Sequence, residues 1–230
     1  MSKNLLHLDS SILGASSASR VLSAHAANQL RLKVPELQVT YRDLAADPIP
    51  HLSGAYVAAT RGGSNAPISA AMGEDLALGE TVLQEFISAD IVVIGVAFYN
   101  FSISTQLKAW VDRIAVAGKT FRYNESGKPE GLAGNKQIIL TIARGGFYGE
   151  GSPARVMEHA DTYLRGTFGF IGITAIEVIA AEGLGLGPAQ RQAAIAQDQE
   201  RIEQSVAAME MEFATDANSH DIAQAAFLQA

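Results

Sequence analysis

The stretch that decides the fold is IVVIGVAFYNF, residues 91–101. Its first seven residues form an apolar run, which predicts a buried strand. Two aromatic residues, an amide and a third aromatic follow directly: Phe98, Tyr99, Asn100 and Phe101. A helix pattern begins at Ser104, so this tetrapeptide lies between a strand and a helix. Ligands of open α/β sheets bind at that carboxyl edge, although taken alone the tetrapeptide is better explained as core aromatics.

Outward from this stretch, strand and helix patterns alternate along the chain. Further strands are predicted at residues 4–8, 37–41, 136–142 and 174–180, and helices at residues 17–33, 69–88, 104–114, 153–168 and 188–211. A long connection follows the second strand and holds a short helix at residues 54–60, whereas residues 121–135 are expected to be a loop. Because most of the strands are continuously apolar, they predict a parallel sheet with helices on both faces.

Composition and net charge argue against several classes of function. The chain has 230 residues, 48% of them hydrophobic, a net charge of −7 and no cysteine. The acidic balance argues against a nucleic-acid groove and against a basic membrane patch. No apolar stretch approaches the ~20 residues of a membrane span, so a cytoplasmic protein is expected. We predict one domain over residues 1–212 and a loosely attached C-terminal extension over residues 213–230.

The sequence lacks the complete motifs of several functions that are common on such sheets. The G-x-G-x-x-G fingerprint and the G-x-S-x-G elbow are both absent. Gly118-Lys119-Thr120 resembles the end of a P-loop, but Arg113 stands where its first glycine is needed. A receiver-type signalling domain requires clustered carboxylates after the first strand, where Asp9 stands alone. The histidines lack the spacing of metal ligands, so no metal site is predicted.

A site for a phosphate and a flat ring survives this elimination. The serine-rich segment 9–20 joins the first strand to a helix, and hydroxyls with free amides at a helix start bind phosphate well. Residues 98–101 supply the aromatic wall. After the fourth strand, Ala143 and Arg144 precede Gly145 and Gly146, whose amides can approach a ligand closely. The three loops leave the same edge of the sheet, so one ligand that spans them is favoured over three unrelated turns.

From Ser2 to about Met209 the sequence resembles the FMN-dependent NADH:quinone oxidoreductases, also called azoreductases. The matching runs include residues 10–13, 17–19, 42–50, 99–108, 120–123, 144–146, 169–173 and 181–183. The resemblance implies a flavodoxin-like, doubly wound five-stranded parallel sheet with strand order 2-1-3-4-5. It also implies FMN as cofactor, NADH as electron donor with NADPH left open, and a homodimer.

The resemblance also implies roles for individual residues. Ser11, Ser17, Ala18 and Ser19 would hold the FMN phosphate. Phe98, Tyr99, Asn100 and Phe101 would line the isoalloxazine and the ribityl chain, and Ala143, Arg144, Gly145 and Gly146 would meet the pyrimidine edge. Phe98, Asn100 and Phe121 would contact the substrate. Phe98 stands where the family often has methionine, and Ala143 where it often has a small hydroxyl residue.

The implied reaction has two steps at one flavin: NAD(P)H reduces FMN, and a quinone or an azo compound then accepts two electrons. The flavin would carry the chemistry, so no catalytic side chain is predicted. Two alternatives remain open from the residues, namely a flavodoxin-like electron carrier and a non-catalytic flavin-binding domain. A carrier is expected to have a much more acidic surface than this chain provides.

Overall fold

A computed structural model describes residues 2–60 and 67–227, with side chains up to residue 209. At its centre lies a parallel sheet of strand order β2-β1-β3-β7-β8. These strands are β1 (Asn4–Asp9), β2 (Gln38–Asp43), β3 (Ile91–Tyr99), β7 (Gln137–Ala143) and β8 (Ala175–Ala181). Renumbered as parallel strands along the chain, the order is 2-1-3-4-5, so the predicted topology is confirmed.

Helices cover both faces of this sheet, as the apolar strands predicted. They are α1 (Ala18–Lys33), α2 (Gly54–Thr60), α3 (Ala70–Ser88), α4 (Thr105–Ile114), α5 (Ala160–Phe170) and α6 (Pro188–Phe227). Alternate strand residues face opposite sides: Leu6 and Leu8 pack with α3, α4 and α5. Leu5 packs with α1 and α6 in a second apolar cluster. The two cores fix the strand ends and therefore the loops that follow them.

Residues 121–135, which we predicted as a loop, contain a small antiparallel hairpin. Strand β5 (Phe121–Tyr123) pairs with β6 (Pro129–Gly131). Arg122 and Glu130 form a cross-strand ion pair at 2.8 Å. The Asn124 side chain accepts the amides of Ser126 and Lys128, both at 3.0 Å, and so shapes the turn. Strands of three residues are too short to leave a periodic pattern, which explains the wrong prediction.

Two predicted helix boundaries were wrong. Helix α5 begins at Ala160 rather than near Pro153, because the Glu158 carboxylate accepts the amides of Ala160 and Asp161 at 3.2 and 3.0 Å. Residues 155–157 form only a short 3₁₀ turn before it. Helix α6 extends to Phe227, past the predicted end at residue 211. The predicted loose attachment of residues 213–230 stays a prediction.

Three further observations concern the connection after β2, membrane-spanning helices and metal sites. The short helix predicted at residues 54–60 is α2, whereas residues 61–66 of the same connection lie outside the described part of the chain. Among the described helices, none combines the length and the hydropathy needed to cross a membrane. Over the same residues, no group of three or more carboxylate or histidine side chains converges as a metal site would require.

Candidate functional site

The three predicted loops meet at the carboxyl edge of the central strands. The Ser11 hydroxyl lies 3.0 Å from the Tyr99 hydroxyl, which joins the loop after β1 to the end of β3. The guanidinium of Arg144 lies 5.8 Å from the centre of the Phe98 ring, which joins the end of β3 to the loop after β7. The structure therefore brings the sequence-predicted loops together, with β3 as the middle member.

The loop after β1 covers the start of α1. The Ser17 hydroxyl accepts the Arg20 amide at 3.3 Å as the helix cap and lies 3.0 Å from the Ser19 hydroxyl. Ser11, Ser17, Ala18 and Ser19 are all buried, whereas Ile12 and Leu13 above them are exposed. The first amides of a helix have no partner within it, and the cap satisfies only that of Arg20. The amides of Ala18 and Ser19 therefore supply the anion-binding character of this loop.

The end of β3 turns back on itself through Asn100 and Phe101. Tyr99 pairs with Ser102 of the short strand β4 (Ser102–Ile103), so only these two residues form the turn. Both have positive φ, 47° and 75°, which is the pattern of a type I′ turn and which a bulky side chain such as Phe101 rarely adopts. Strain of this kind is concentrated at functional sites. It sets the Asn100 amide and the Phe101 ring at the tip of the turn, where both are exposed.

The loop after β7 presents unused backbone donors. The Arg144 amide donates to the Ala181 carbonyl at 2.8 Å, but among the described residues the amides of Gly145 and Gly146 donate to no acceptor. A Cβ on Gly145 would meet nothing within 4 Å, so this amide borders open space. Gly146 lies beside the Tyr148 ring. Two adjacent free amides are donors suited to carbonyl or anionic ligand atoms.

Arg144 itself is buried and held by two carboxylates. Its side chain is 4% exposed and pairs with Glu158 at 2.9 Å and with Glu182 at 3.1 Å. Glu182 also accepts the Tyr148 amide at 2.7 Å. The Nε atom of Arg144 is buried without a hydrogen-bond partner. The guanidinium thus braces the loops after β7 and β8 and keeps one unused donor.

Sequence reasoning missed Tyr148, Glu158 and Glu182. The Tyr148 ring lies 4.9 Å from Phe98 and 6.2 Å from Phe101, so it completes an aromatic cluster at the site. Tyr148 follows Gly145-Gly146 so closely that its nearness was a usable signal. Glu182 stood in a matching run without an assigned role, and nothing near Glu158 in the sequence points to Arg144.

Phe121 does not join the three loops within one subunit. Its ring lies 4.7 Å from Phe170 and 5.7 Å from Tyr123. Phe170 ends α5, which begins near the site, where the His159 amide donates to the Phe101 carbonyl at 3.0 Å. Phe121 therefore lies near the opposite edge of the sheet, away from the three loops, and its substrate contact stays a prediction.

Known proteins match both the sequence and the fold of this chain. A family model described as a flavodoxin-like fold matches residues 3–206. The chain is 60% identical over 201 residues to the FMN-dependent NADH:quinone oxidoreductase of Xanthomonas campestris pv. campestris, covering 86% of this chain and 97% of that protein. The chain belongs to the FMN-dependent NADH:quinone oxidoreductase family. A second member, from Methylorubrum extorquens (strain PA1), is 56% identical over 84% of this chain and 93% of its own length.

Solved structures similar to this family member include azoreductases. The azoreductase from Bacillus anthracis str. Sterne has a TM-score of 0.78 and 28% identity, covering 90% of this chain and 99% of its own. The FMN-dependent NADH-azoreductase from Bacillus anthracis str. Ames Ancestor, solved in complex with FMN, has a TM-score of 0.81. At 22% identity this second likeness shows the shared fold, with 91% of this chain covered.

The residues present fit the cofactor after which the family is named. Free amides at the start of α1 suit a phosphate, and three aromatic rings surround the end of β3. The open amides of Gly145 and Gly146 and the orphaned Nε of Arg144 offer donors where a polar ring edge needs them. An apolar-walled site with a few convergent donors is typical of cofactor pockets.

A cavity of about 580 Å³ lies between α1 and β2 in this family member and adjoins the serine loop at Gly14 and Ala15. Its lining includes His7, Asp9, Arg20, Arg31 and Tyr41. Burial lowers the pKa of His7, opposed by the nearby Asp9 carboxylate. Burial also raises the pKa of Tyr41 to about 12, helped by its hydrogen bond to Asp9.

The lowered pKa of His7 predicts a loss of stability in mild acid. Below the ordinary pKa of 6.5, the unfolded chain binds a proton that folded His7 still refuses. The free energy of unfolding therefore falls as the pH drops from about 6.5 toward the lowered pKa, by about 1.4 kcal/mol per unit of difference. His7→Gln should flatten this fall in urea unfolding. The exposed His51→Gln serves as the control, and an equal fall in both variants would contradict the assignment.

Proposed function

We propose that this protein is an FMN-dependent oxidoreductase that transfers electrons from NADH to quinones and also cleaves azo compounds. One observation carries the proposal: the serine loop, the aromatic turn and the glycine loop meet at one sheet edge, linked through Ser11–Tyr99 and Arg144–Phe98 contacts. The relatives named for this activity align over almost their whole length.

The chain's own residues bind and orient the cofactor. The phosphate is bound at the start of α1 by Ser11, Ser17, Ala18 and Ser19, through backbone amides and through the Ser17 hydroxyl, which accepts the Arg20 amide and can still donate its own hydrogen. Phe98 at the end of β3 and Phe101 in the turn wall the ring and exclude water. When bound, FMN accepts a hydride from NADH and supplies two electrons to the substrate.

Electrostatics favour that chemistry at the glycine loop. The free amides of Gly145, which borders open space, and of Gly146, which lies beside the Tyr148 ring, stabilise negative charge at the ring edge they face. Arg144 adds a fixed positive charge behind them but is paired with Glu158 and Glu182, so its guanidinium holds the loop rather than contacting the substrate. Solvent supplies the protons, because the carboxylates of Glu158 and Glu182 are both engaged by Arg144.

Substrate contacts are assigned to Phe98, Asn100 and Phe121. Asn100 and Phe101 are exposed at the tip of the turn, within reach of a substrate stacked on the ring. Phe121 contributes from a second subunit of a homodimer, because within its own subunit it packs on Phe170. Tyr148 joins this group as the neighbour of Phe98. We propose NADH rather than NADPH as the usual donor, and a cytoplasmic location.

Anaerobic reduction tests the proposed function. FMN-loaded protein is mixed with NADH without oxygen, and the flavin absorbance is followed; a quinone or an azo dye is then added. We expect NADH to bleach the flavin and either oxidant to restore its colour. An electron carrier would keep its colour in NADH, and a protein that binds no added FMN would not be a flavoenzyme; either outcome contradicts the proposal.

Ser17→Ala is expected to weaken FMN binding about tenfold or more. The serine hydroxyl caps α1 and borders the phosphate position, and a hydrogen bond to a charged group contributes about 1.5–3 kcal/mol. Fluorescence titration of FMN measures the dissociation constant. The matched control is Ser69→Ala, which removes the cap of α3 outside these loops. Equal FMN affinity in the two variants would contradict the role of Ser17.

A further inference from the structure

We propose that Arg20 and Asp43 are positioning residues that hold the phosphate loop in its binding shape without contacting the cofactor. The inference rests on the proposed function, since it concerns the loop assigned to the FMN phosphate. It is carried by hydrogen bonds that converge on one peptide group, the one between Ser11 and Ile12.

Arg20 holds one side of this peptide group. Its Nε and Nη2 atoms donate to the Ser11 carbonyl at 3.2 and 2.8 Å. Because a trans peptide points its carbonyl and its amide in opposite directions, fixing the carbonyl also fixes the Ile12 amide. That amide donates to the Tyr99 hydroxyl at 3.2 Å. The peptide plane is thus held between Arg20 on one side and the aromatic turn on the other.

Asp43 holds Arg20 in this orientation. Its two carboxylate oxygens accept Nη1 and Nη2 of Arg20, both at 2.6 Å. Asp43 also accepts the amides of Ala45 and Ala46 at 3.0 and 3.1 Å, so it is fixed to its own chain. The hydrogen bond from Arg20, ahead of these amides, lowers the pKa of Asp43. A forked pair of this kind sets direction as well as charge.

The contacts of Arg20 allow a test of whether it acts through the orientation of its donors or only through its positive charge. Its guanidinium is 15% exposed and its donors are used by Ser11, Tyr41 and Asp43. Its positive charge faces the carboxylates of Asp43 and Asp9, the latter at 3.8 Å. If charge alone mattered, removing the negative charge of Asp43 would strengthen phosphate binding. If orientation matters, the same change weakens it.

Arg20→Lys and Asp43→Asn test this inference through binding of FMN and of riboflavin, which lacks the phosphate. Lysine keeps the charge but cannot donate in the forked geometry. We expect each variant to bind FMN on the order of tenfold more weakly, as when supporting residues behind ligand-binding groups are changed. Riboflavin affinity should change less than about twofold. Fluorescence titration of the variants measures both.

Arg42 and Glu85 provide a matched control. They form a similar forked pair, at 2.9 and 2.7 Å, one residue from Asp43 and away from the serine loop. Arg42→Lys and Glu85→Gln should leave FMN affinity unchanged. Parallel losses in both pairs, equal losses for FMN and riboflavin, or tighter FMN binding by Asp43→Asn would each overturn the inference.

The outcomes separate this inference from the proposed function. A wild-type protein that binds no FMN overturns the proposed function. A wild-type protein that binds FMN while Arg20→Lys and Asp43→Asn bind it equally well overturns the positioning role alone. If Arg20→Lys fails to fold, Asp43→Asn alone tests the positioning role, because asparagine preserves the shape of the aspartate side chain. Thermal unfolding of the cofactor-free variants confirms that those compared are folded.

Discussion

Replacing Arg144 with methionine is expected to lower the free energy of unfolding by about 3–5 kcal/mol. The Glu158 side chain is 0% exposed, and Arg144 is its buried cationic partner at 2.9 Å. Its other cation, Arg155, is 47% exposed and lies at 3.3 Å. Removal of Arg144 therefore leaves a carboxylate in the interior with weak compensation. Urea unfolding of the variant and of the wild-type protein measures the loss.

Two control variants show whether the loss of stability comes from the unpaired buried charge. One changes an ion pair at the surface, and the other adds a second substitution at Glu158. Arg165 pairs with Asp161 at 2.6 Å but is 47% exposed, so Arg165→Met should cost less than about 1 kcal/mol. Adding Glu158→Gln to Arg144→Met removes the unpaired charge and should recover part of the stability. A loss no larger than that of Arg165→Met would show that the Arg144 cluster does not hold the loops.

Gly131→Ala is expected to destabilise the protein by about 2–3 kcal/mol. A Cβ at Gly131 would collide with the backbone of Ile171 and Gly172. Backbone atoms cannot turn aside as a flexible side chain can, and the Ala133 amide ties the same segments by donating to Ile171 at 2.9 Å. The hairpin that carries Phe121 would therefore separate from the end of α5.

The control for this change is Gly166→Ala. Gly166 lies within α5, and a Cβ there would meet nothing within 4 Å. Alanine in a helix interior is favoured over glycine by about 0.5–1 kcal/mol, so this variant should be slightly more stable than the wild-type protein. If Gly131→Ala unfolds at the same urea concentration as Gly166→Ala, the close contact of the two backbones is not tight in solution.

Sequence was sufficient for the parallel sheet and its loops. Residues 91–97 are apolar throughout because both faces of β3 are covered. This apolar run can be recognised in the sequence without knowledge of the residues that pack against it. The meeting of the loops follows from topology, since parallel strands send their carboxyl ends to one edge. FMN and the roles of single residues came from family resemblance rather than from these patterns.

The wrong predictions have two physical causes, a side-chain cap that is local in sequence and contacts between residues far apart in sequence. Helix α5 begins where Glu158 caps it, and the predicted start near Pro153 relied on a local preference that this contact overrides. The β5–β6 hairpin depends on a close approach between Gly131 and Gly172, which lie far apart in sequence. The cluster of Arg144, Glu158 and Glu182 likewise forms only in three dimensions. Long-range contacts of this kind leave no periodic signal.

Determining where FMN binds tests the central claim most directly. A crystal structure of the FMN complex should place the phosphate against residues 11–19 and the ring between residues 98–101 and 143–146. The cavity between α1 and β2, lined by His7 and Arg31 and adjoining the serine loop at Gly14 and Ala15, should then hold no flavin ring. A flavin bound in that cavity, or a phosphate away from the start of α1, would contradict the account.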